Sequence, residues 1–112
     1  MMPREPPALG PKRLVLTRAA EADVDAIIDY IAGEAGTETA YRFAERIDAE
    51  LARLAELGHS GVSRESVSPG LRLTTIGVYC VYFRVSPDET LIARVLHGSR
   101  DVSQIGFDDD EA

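Results

Sequence analysis

Residues 71–97 read LRLTTIGVYCVYFRVSPDETLIARVLH, and this stretch decides the fold class. It holds three runs, residues 71–76, 78–85 and 90–97, each rich in the β-branched and aromatic side chains that suit a pleated surface. Gly77 separates the first two, and Ser86-Pro87-Asp88-Glu89 is a turn sequence between the last two. Links this short make neighbouring strands antiparallel, so a three-stranded antiparallel sheet is predicted. Period-2 alternation assigns the faces. Leu71, Leu73, Val81, Phe83, Leu91, Ala93 and Val95 form one side, and Arg72, Cys80, Tyr82, Arg84, Ile92, Arg94 and Leu96 form the other. With the first set in the core, three arginines stand on three adjacent strands around Tyr82. That face is either the solvated side of a half-buried sheet or, because Ile92 and Leu96 are apolar, a strip that receives a partner segment.

Upstream, residues 12–17 are β-prone, and Thr17 is placed to cap a helix beginning at Arg18. Ala20, Val24, Ile27, Ile28 and Ile31 then recur at helical spacing, with Asp23, Asp25 and Asp29 off the stripe. Gly33-Glu34-Ala35-Gly36 breaks the pattern. Thr37 offers a second cap, after which Ala40, Ala44, Ile47, Leu51 and Leu54 form another stripe flanked by Phe43, ended by Gly58. A short link between two amphipathic helices predicts an antiparallel hairpin. Two such helices cannot bury both stripes on each other, so the sheet must cover them. The expected fold is α+β, in the order β-α-α-β-β-β, with residues 58–70 as its longest irregular stretch.

The 112 residues suffice for one domain, and 45% hydrophobic content excludes wholesale disorder. The expected organisation is a flexible leader at 1–11 carrying Pro3, Pro6, Pro7 and Pro11, a single domain at 12–107 and a solvated acidic tail at 108–112. No apolar run approaches the roughly 18 residues that span a bilayer, and the leader lacks the apolar centre of a secretory signal. The lone Cys80 forms no internal disulfide, which fits a reducing cytoplasm. No cofactor or metal motif is present.

The net charge of -7 disfavours a large basic nucleic-acid surface, but it is unevenly spread. Between Arg18 and Leu57 ten acids face four arginines, and Asp108, Asp109, Asp110 and Glu111 close the chain. The strand region instead carries Arg64, Arg72, Arg84, Arg94 and Arg100 against Glu65, Asp88, Glu89 and Asp101. Eleven of the twelve basic residues are arginine, the side chain whose planar fork grips carboxylates and phosphates. High-GC coding produces the same bias without any function.

Four motifs follow one another: Gly58-His59-Ser60-Gly61, Pro69-Gly70-Leu71-Arg72, Gly77-Val78-Tyr79-Cys80-Val81-Tyr82-Phe83-Arg84, and Arg94-Val95-Leu96-His97-Gly98-Ser99-Arg100-Asp101. In this order they resemble the C-terminal half of ParE toxins of the RelE/ParE toxin–antitoxin superfamily. Leu16-Thr17-Arg18-Ala19-Ala20, with Asp23, Ile27 and Tyr30-Ile31-Ala32, is similar to that family's opening strand and helix. The resemblance covers residues 12 to 103 and implies the same helical hairpin on an antiparallel sheet.

Two target classes are implied. RelE-like members cleave mRNA on the ribosome, which requires cations to stabilise phosphorane-like charge and a proton-transferring side chain. Arg72, Arg100 and His97 are the residues such a reading would use. His97 is alternatively a strand-end residue bonded to its following turn, and His59 is expected to be merely exposed. At the C-terminal position of the RelE-type tyrosine stands Ile105-Gly106-Phe107, and the only lysine is Lys12. ParE-like members trap DNA gyrase without chemistry of their own. That resemblance implies partner binding by Arg72, Tyr82, Arg84, Ile92, Arg94, Leu96, His97 and Arg100, with no sequence-specific DNA contact. It also implies a ParD-like antitoxin whose tail folds over apolar grooves and sets carboxylates against arginines. A toxin that has lost potency and persists as a repressor subunit is a third reading.

Overall fold

The computed structural model describes residues 12–57 and 61–107. The expected leader, the tail, Gly58 and His59 lie outside them. The elements run β1 (Arg13–Leu16), α1 (Arg18–Ala35), α2 (Thr37–Leu57), β2 (Val62–Ser63), β3 (Arg72–Ile76), β4 (Tyr79–Val85) and β5 (Glu89–His97). They form one five-stranded sheet in the order β1-β5-β4-β3-β2. The three predicted strands are its antiparallel centre, with the α1–α2 hairpin packed on one face. Two additions appear. β1 joins the edge parallel to β5, pairing Arg13 with Glu89 through Leu16 with Ile92. The predicted irregular stretch also supplies the two-residue strand β2 beside β3.

Local chemistry fixes the joints. The Thr17 hydroxyl accepts the Ala20 N–H at 2.9 Å and donates to the Ala93 carbonyl at 2.8 Å, fully buried. One side chain thus caps α1 and ties it to β5. Replacing Thr17 by valine keeps the shape and strands both partners. Urea unfolding is expected to show a loss of about 2 kcal/mol. The helices turn over on one residue: α1 runs through Gly33 to Ala35, and Gly36 stands at φ +97°, a value glycine tolerates. Its N–H donates to the Ala32 carbonyl and its carbonyl accepts the Ala40 N–H, so Gly36 performs the capping expected of Thr37. Lys12 holds the β4–β5 turn, donating to the carbonyls of Ser86 and Pro87.

Both faces of the sheet are covered. Under the helices, Ile47, Leu51 and Leu54 of α2 and Ala20 of α1 meet Ile76, Val81, Phe83, Ile92 and Val95. On the opposite face Leu71, Tyr82, Ala93 and Leu96 pack with Phe107, Val102 and Ile105, so the chain's own C-terminal segment closes that side.

This arrangement corrects the predicted faces. Val81, Phe83 and Val95 lie under the helices as expected, but Ile92 joins them, while Leu71, Leu73 and Ala93 belong to the opposite side. The cause on β5 is a bulge: Phe83 pairs with Ile92 but Tyr82 pairs with Arg94, leaving Ala93 as an extra residue that resets the alternation. On β3, Arg72 pairs with Phe83, and directly opposed residues share a face, so Arg72 stands on the helix side. Arg84 pairs with Leu91 on the other. The expected cluster of Arg72, Arg84 and Arg94 around Tyr82 is therefore not formed.

Candidate functional site

A groove of about 500 Å³ opens between α1 and the far end of the β4–β5 hairpin. Asp23, Ala26, Ile27 and Tyr30 line it from the helix, where spacings of three and four residues put them on one side. Val78, Tyr79, Leu96, His97 and Arg100 line it from the sheet and the following turn. Its lips are apolar yet exposed: Tyr30 is 63% and Val78 59% accessible. Phe43, Tyr79 and His97 make an edge-to-face series with ring centres 5.6 and 5.7 Å apart, which braces one wall against α2.

The groove depends on an ion pair. β1 ends at Leu16, so β5 beyond Ile92 has no strand on that side. Asp23 takes the vacant place, accepting the Val95 N–H at 2.9 Å. Its carboxylate also receives a two-pronged grip from Arg94, Nε at 2.7 Å and Nη2 at 2.9 Å. The hydrogen bond to Asp23 raises the Arg94 pKa still further, against the opposing effect of burial, and the guanidinium stays charged.

His97 Nδ1 sits 3.0 Å from the Ser99 N–H and 2.8 Å from the Ser99 hydroxyl. Accepting the backbone N–H places the proton of the neutral imidazole on Nε2. This is the strand-end arrangement weighed for His97 from sequence. Arg100 projects from the same turn, exposed, with no side-chain ion pair or hydrogen bond among the described residues.

The other expected residues are elsewhere. Arg72 donates to the Gly61 carbonyl. Arg84 donates to the carbonyls of Pro69 and Phe107 and to Ser68 Oγ. Tyr82, Ile92 and Leu96, expected on an open docking strip, are buried, Ile92 beneath the helices and the other two beneath the C-terminal segment. Leu96 still contributes to the groove wall. His97 pairs with Tyr79 and Arg72 with Phe83, four residues further along β4, a separation of about 13 Å at strand rise. The set Arg72, Arg100 and His97 is not gathered into one acid–base centre. Among the described residues, no three His, Cys, Asp or Glu gather as a metal site, and no helix is long and apolar enough to cross a membrane.

Residues 14–102 match the family model described as ParE toxin of the type II toxin–antitoxin system parDE. The chain belongs to the ParE toxin family. Toxin ParE3 of Caulobacter vibrioides is 26% identical over 95 residues, covering 84% of this chain and 95% of that protein. Toxin ParE1 of the same organism is 34% identical over 84 residues, covering 75% and 86%. Among solved structures, the chromosomal ParDE toxin–antitoxin system from P. aeruginosa superposes with a TM-score of 0.67 at 32% identity, over 77% of this chain and 95% of that one.

Every groove residue from Asp23 to Arg100 falls inside the ParE match, whereas Ile105 and Phe107 fall beyond it. The Phe107 ring lies 4.9 Å from that of Tyr82. Burial first, and then the neighbouring Cys80, push the Tyr82 hydroxyl above its ordinary pKa of 10, with Arg64 pulling partly back. A raised pKa favours the protonated fold, so this contribution is complete below about pH 10 and is lost as pH climbs through the folded value. Alkaline titration followed at 295 nm should show a tyrosine ionising late, and Phe107→Ala should bring it back toward 10.

Proposed function

We propose that this ParE-family chain is a toxin that binds DNA gyrase, works without chemistry of its own and is held silent by a ParD-like antitoxin. The observation that carries the reading is the groove: an exposed aromatic and aliphatic cleft with one uncommitted arginine at its rim is suited to a peptide segment. An amphipathic antitoxin helix fits it, with apolar residues on Ile27, Tyr30, Val78 and Tyr79 and a carboxylate forked onto Arg100. Arg72 and Arg84 have internal work, so their substitution tests stability more than partner choice. The dispersal of Arg72 away from His97 and Arg100, and the engagement of His97 with its own turn, favour binding over RNA cleavage. A gyrase-directed toxin acts where the chromosome is, in the bacterial cytoplasm.

Supercoiling assays with purified gyrase test the target. Inhibition with accumulation of cleaved DNA is expected, along with SOS induction on expression without antitoxin. Cleavage of mRNA on programmed ribosomes, with gyrase unaffected, would overturn the reading. No growth arrest and no gyrase effect would leave a repressor subunit in its place.

A further inference from the structure

We propose that the turn from His97 to Arg100 caps the C-terminal end of the antitoxin helix, so that this helix lies in the groove in one direction only. The inference rests on the reading that an antitoxin helix fills the groove, and adds which end of it goes where.

The groove has a direction of its own. The Thr17 hydroxyl bonds the Ala93 carbonyl and the Asp23 carboxylate bonds the Val95 N–H, so α1 and β5 advance side by side in the same sense. At the near end stands Asp23, the one carboxylate among the residues lining the groove, held by Arg94 and the Val95 N–H. β5 finishes at the far end with His97, and the turn after it closes with the Arg100 N–H on the His97 carbonyl at 2.9 Å. The Gly98 N–H donates to the Val78 carbonyl at 2.7 Å, which ties this turn to the one between β3 and β4.

The far end offers donors. Because His97 Nδ1 accepts the Ser99 N–H, the imidazole proton is on Nε2, which has no partner among the described residues. The ring is steadied edge-to-face on Tyr79, and Tyr30 faces it from α1. Arg100 adds a guanidinium with its N–H groups unspent among the described residues. One neutral donor and one cation thus stand three residues apart on a single hydrogen-bonded turn.

A helix ends in up to four carbonyls that lack an intrahelical partner, and it carries partial negative charge there. Its other end carries orphan N–H groups and partial positive charge. The far end of the groove suits the first and repels the second. Arginine and histidine satisfy the last carbonyls of helices within one chain, and His97 with Arg100 offers the same chemistry across an interface. From Asp23 to Tyr30 the helical wall is about 10 Å long, enough to hold about two turns of an antitoxin helix ahead of the cap.

The test uses the purified antitoxin and two toxin variants that carry the photocrosslinking residue p-benzoylphenylalanine. One has it at Ala22, exposed and one turn before Ala26 on the same face of α1; the other has it at Val78, beside the cap. Mass spectrometry of the crosslinked peptides should place the Val78 capture about eight residues C-terminal to the Ala22 capture in the antitoxin sequence. Hydrogen exchange of the complex should show antitoxin amide protection ending within about one turn after the residue captured by Val78. His97→Phe, which keeps a ring on Tyr79, and Arg100→Gln should each weaken binding about ten-fold with the urea midpoint of the free toxin unchanged. Capture in the reverse order overturns the proposal. Protection that runs on unbroken past the Val78 site does the same, and so does a loss below about two-fold in both point variants. Failure of both positions to capture antitoxin overturns the groove reading itself, and the cap with it.

Discussion

Asp23→Ala is expected to cost about 3 kcal/mol of folding stability, which for a domain of this size lowers the melting temperature by about 15 °C. The side chains of Asp23 and Arg94 are only 13% and 18% exposed, and the carboxylate is the acceptor for three donors at once. Removing it leaves a guanidinium and the Val95 N–H without their partner where little water reaches, and such orphaned groups cost more than the pair contributes when intact. The double variant Asp23→Ala with Arg94→Met should be less damaged than the sum of its parts, because the second change removes the stranded charge. Chemical denaturation of the four proteins in the cycle decides it. A single-variant loss below about 0.5 kcal/mol would mean the pair behaves as a solvated surface bridge.

Tyr30→Ala combined with Arg100→Glu is expected to weaken antitoxin binding about 100-fold while leaving the fold intact. Tyr30 is largely exposed, and Arg100 has no side-chain bond among the described residues, so neither change should disturb packing. At an interface the same two positions combine an aromatic anchor with a charged fork, the residue types that concentrate binding energy. Reversing the sign at Arg100 sets like charges against each other where a pair is expected. Calorimetry against the purified antitoxin, with far-UV circular dichroism of the free toxin as control, gives the answer. Undiminished affinity would remove the groove from the interface without touching membership of the family.

The element order was legible because each boundary carries local chemistry: Thr17 before α1, Gly36 between the helices, Gly77 and Ser86-Pro87 between strands. The faces were legible only where alternation runs undisturbed, at Val81, Phe83 and Val95. Ala93 defeats the pattern because a bulge adds a residue without changing composition. The hydroxyl that holds its carbonyl belongs to Thr17, 76 positions away. Arg72 and Arg84 were separated by a strand register that no single strand encodes. For the site, His97 and Arg100 were recognisable as strand-end residues, but Asp23 was placed only off the apolar stripe, with no partner on the sheet assigned to it. Its place beside β5 follows from β1 stopping at Leu16. Tyr30, seven residues on from Asp23, offered the missed signal: a large aromatic aligned with a carboxylate on one helical face.

The parallel pairing of β1 with β5 also sets a schedule. Arg13 is joined to Glu89 across 76 positions, so the first strand has no partner until the last one has been made. At about 5–20 residues per second, translation of that interval takes about 4–15 s. From the completion of α2 at Leu57 until β5 follows, the α1–α2 hairpin carries an uncovered apolar stripe, and the groove does not exist because its β4–β5 wall has yet to form. Maturation therefore waits until β5 has been made. An antitoxin that recognises the finished groove meets its partner only after β5 has been made, whereas one that recognises the helical stripe has a head start of about 2–8 s.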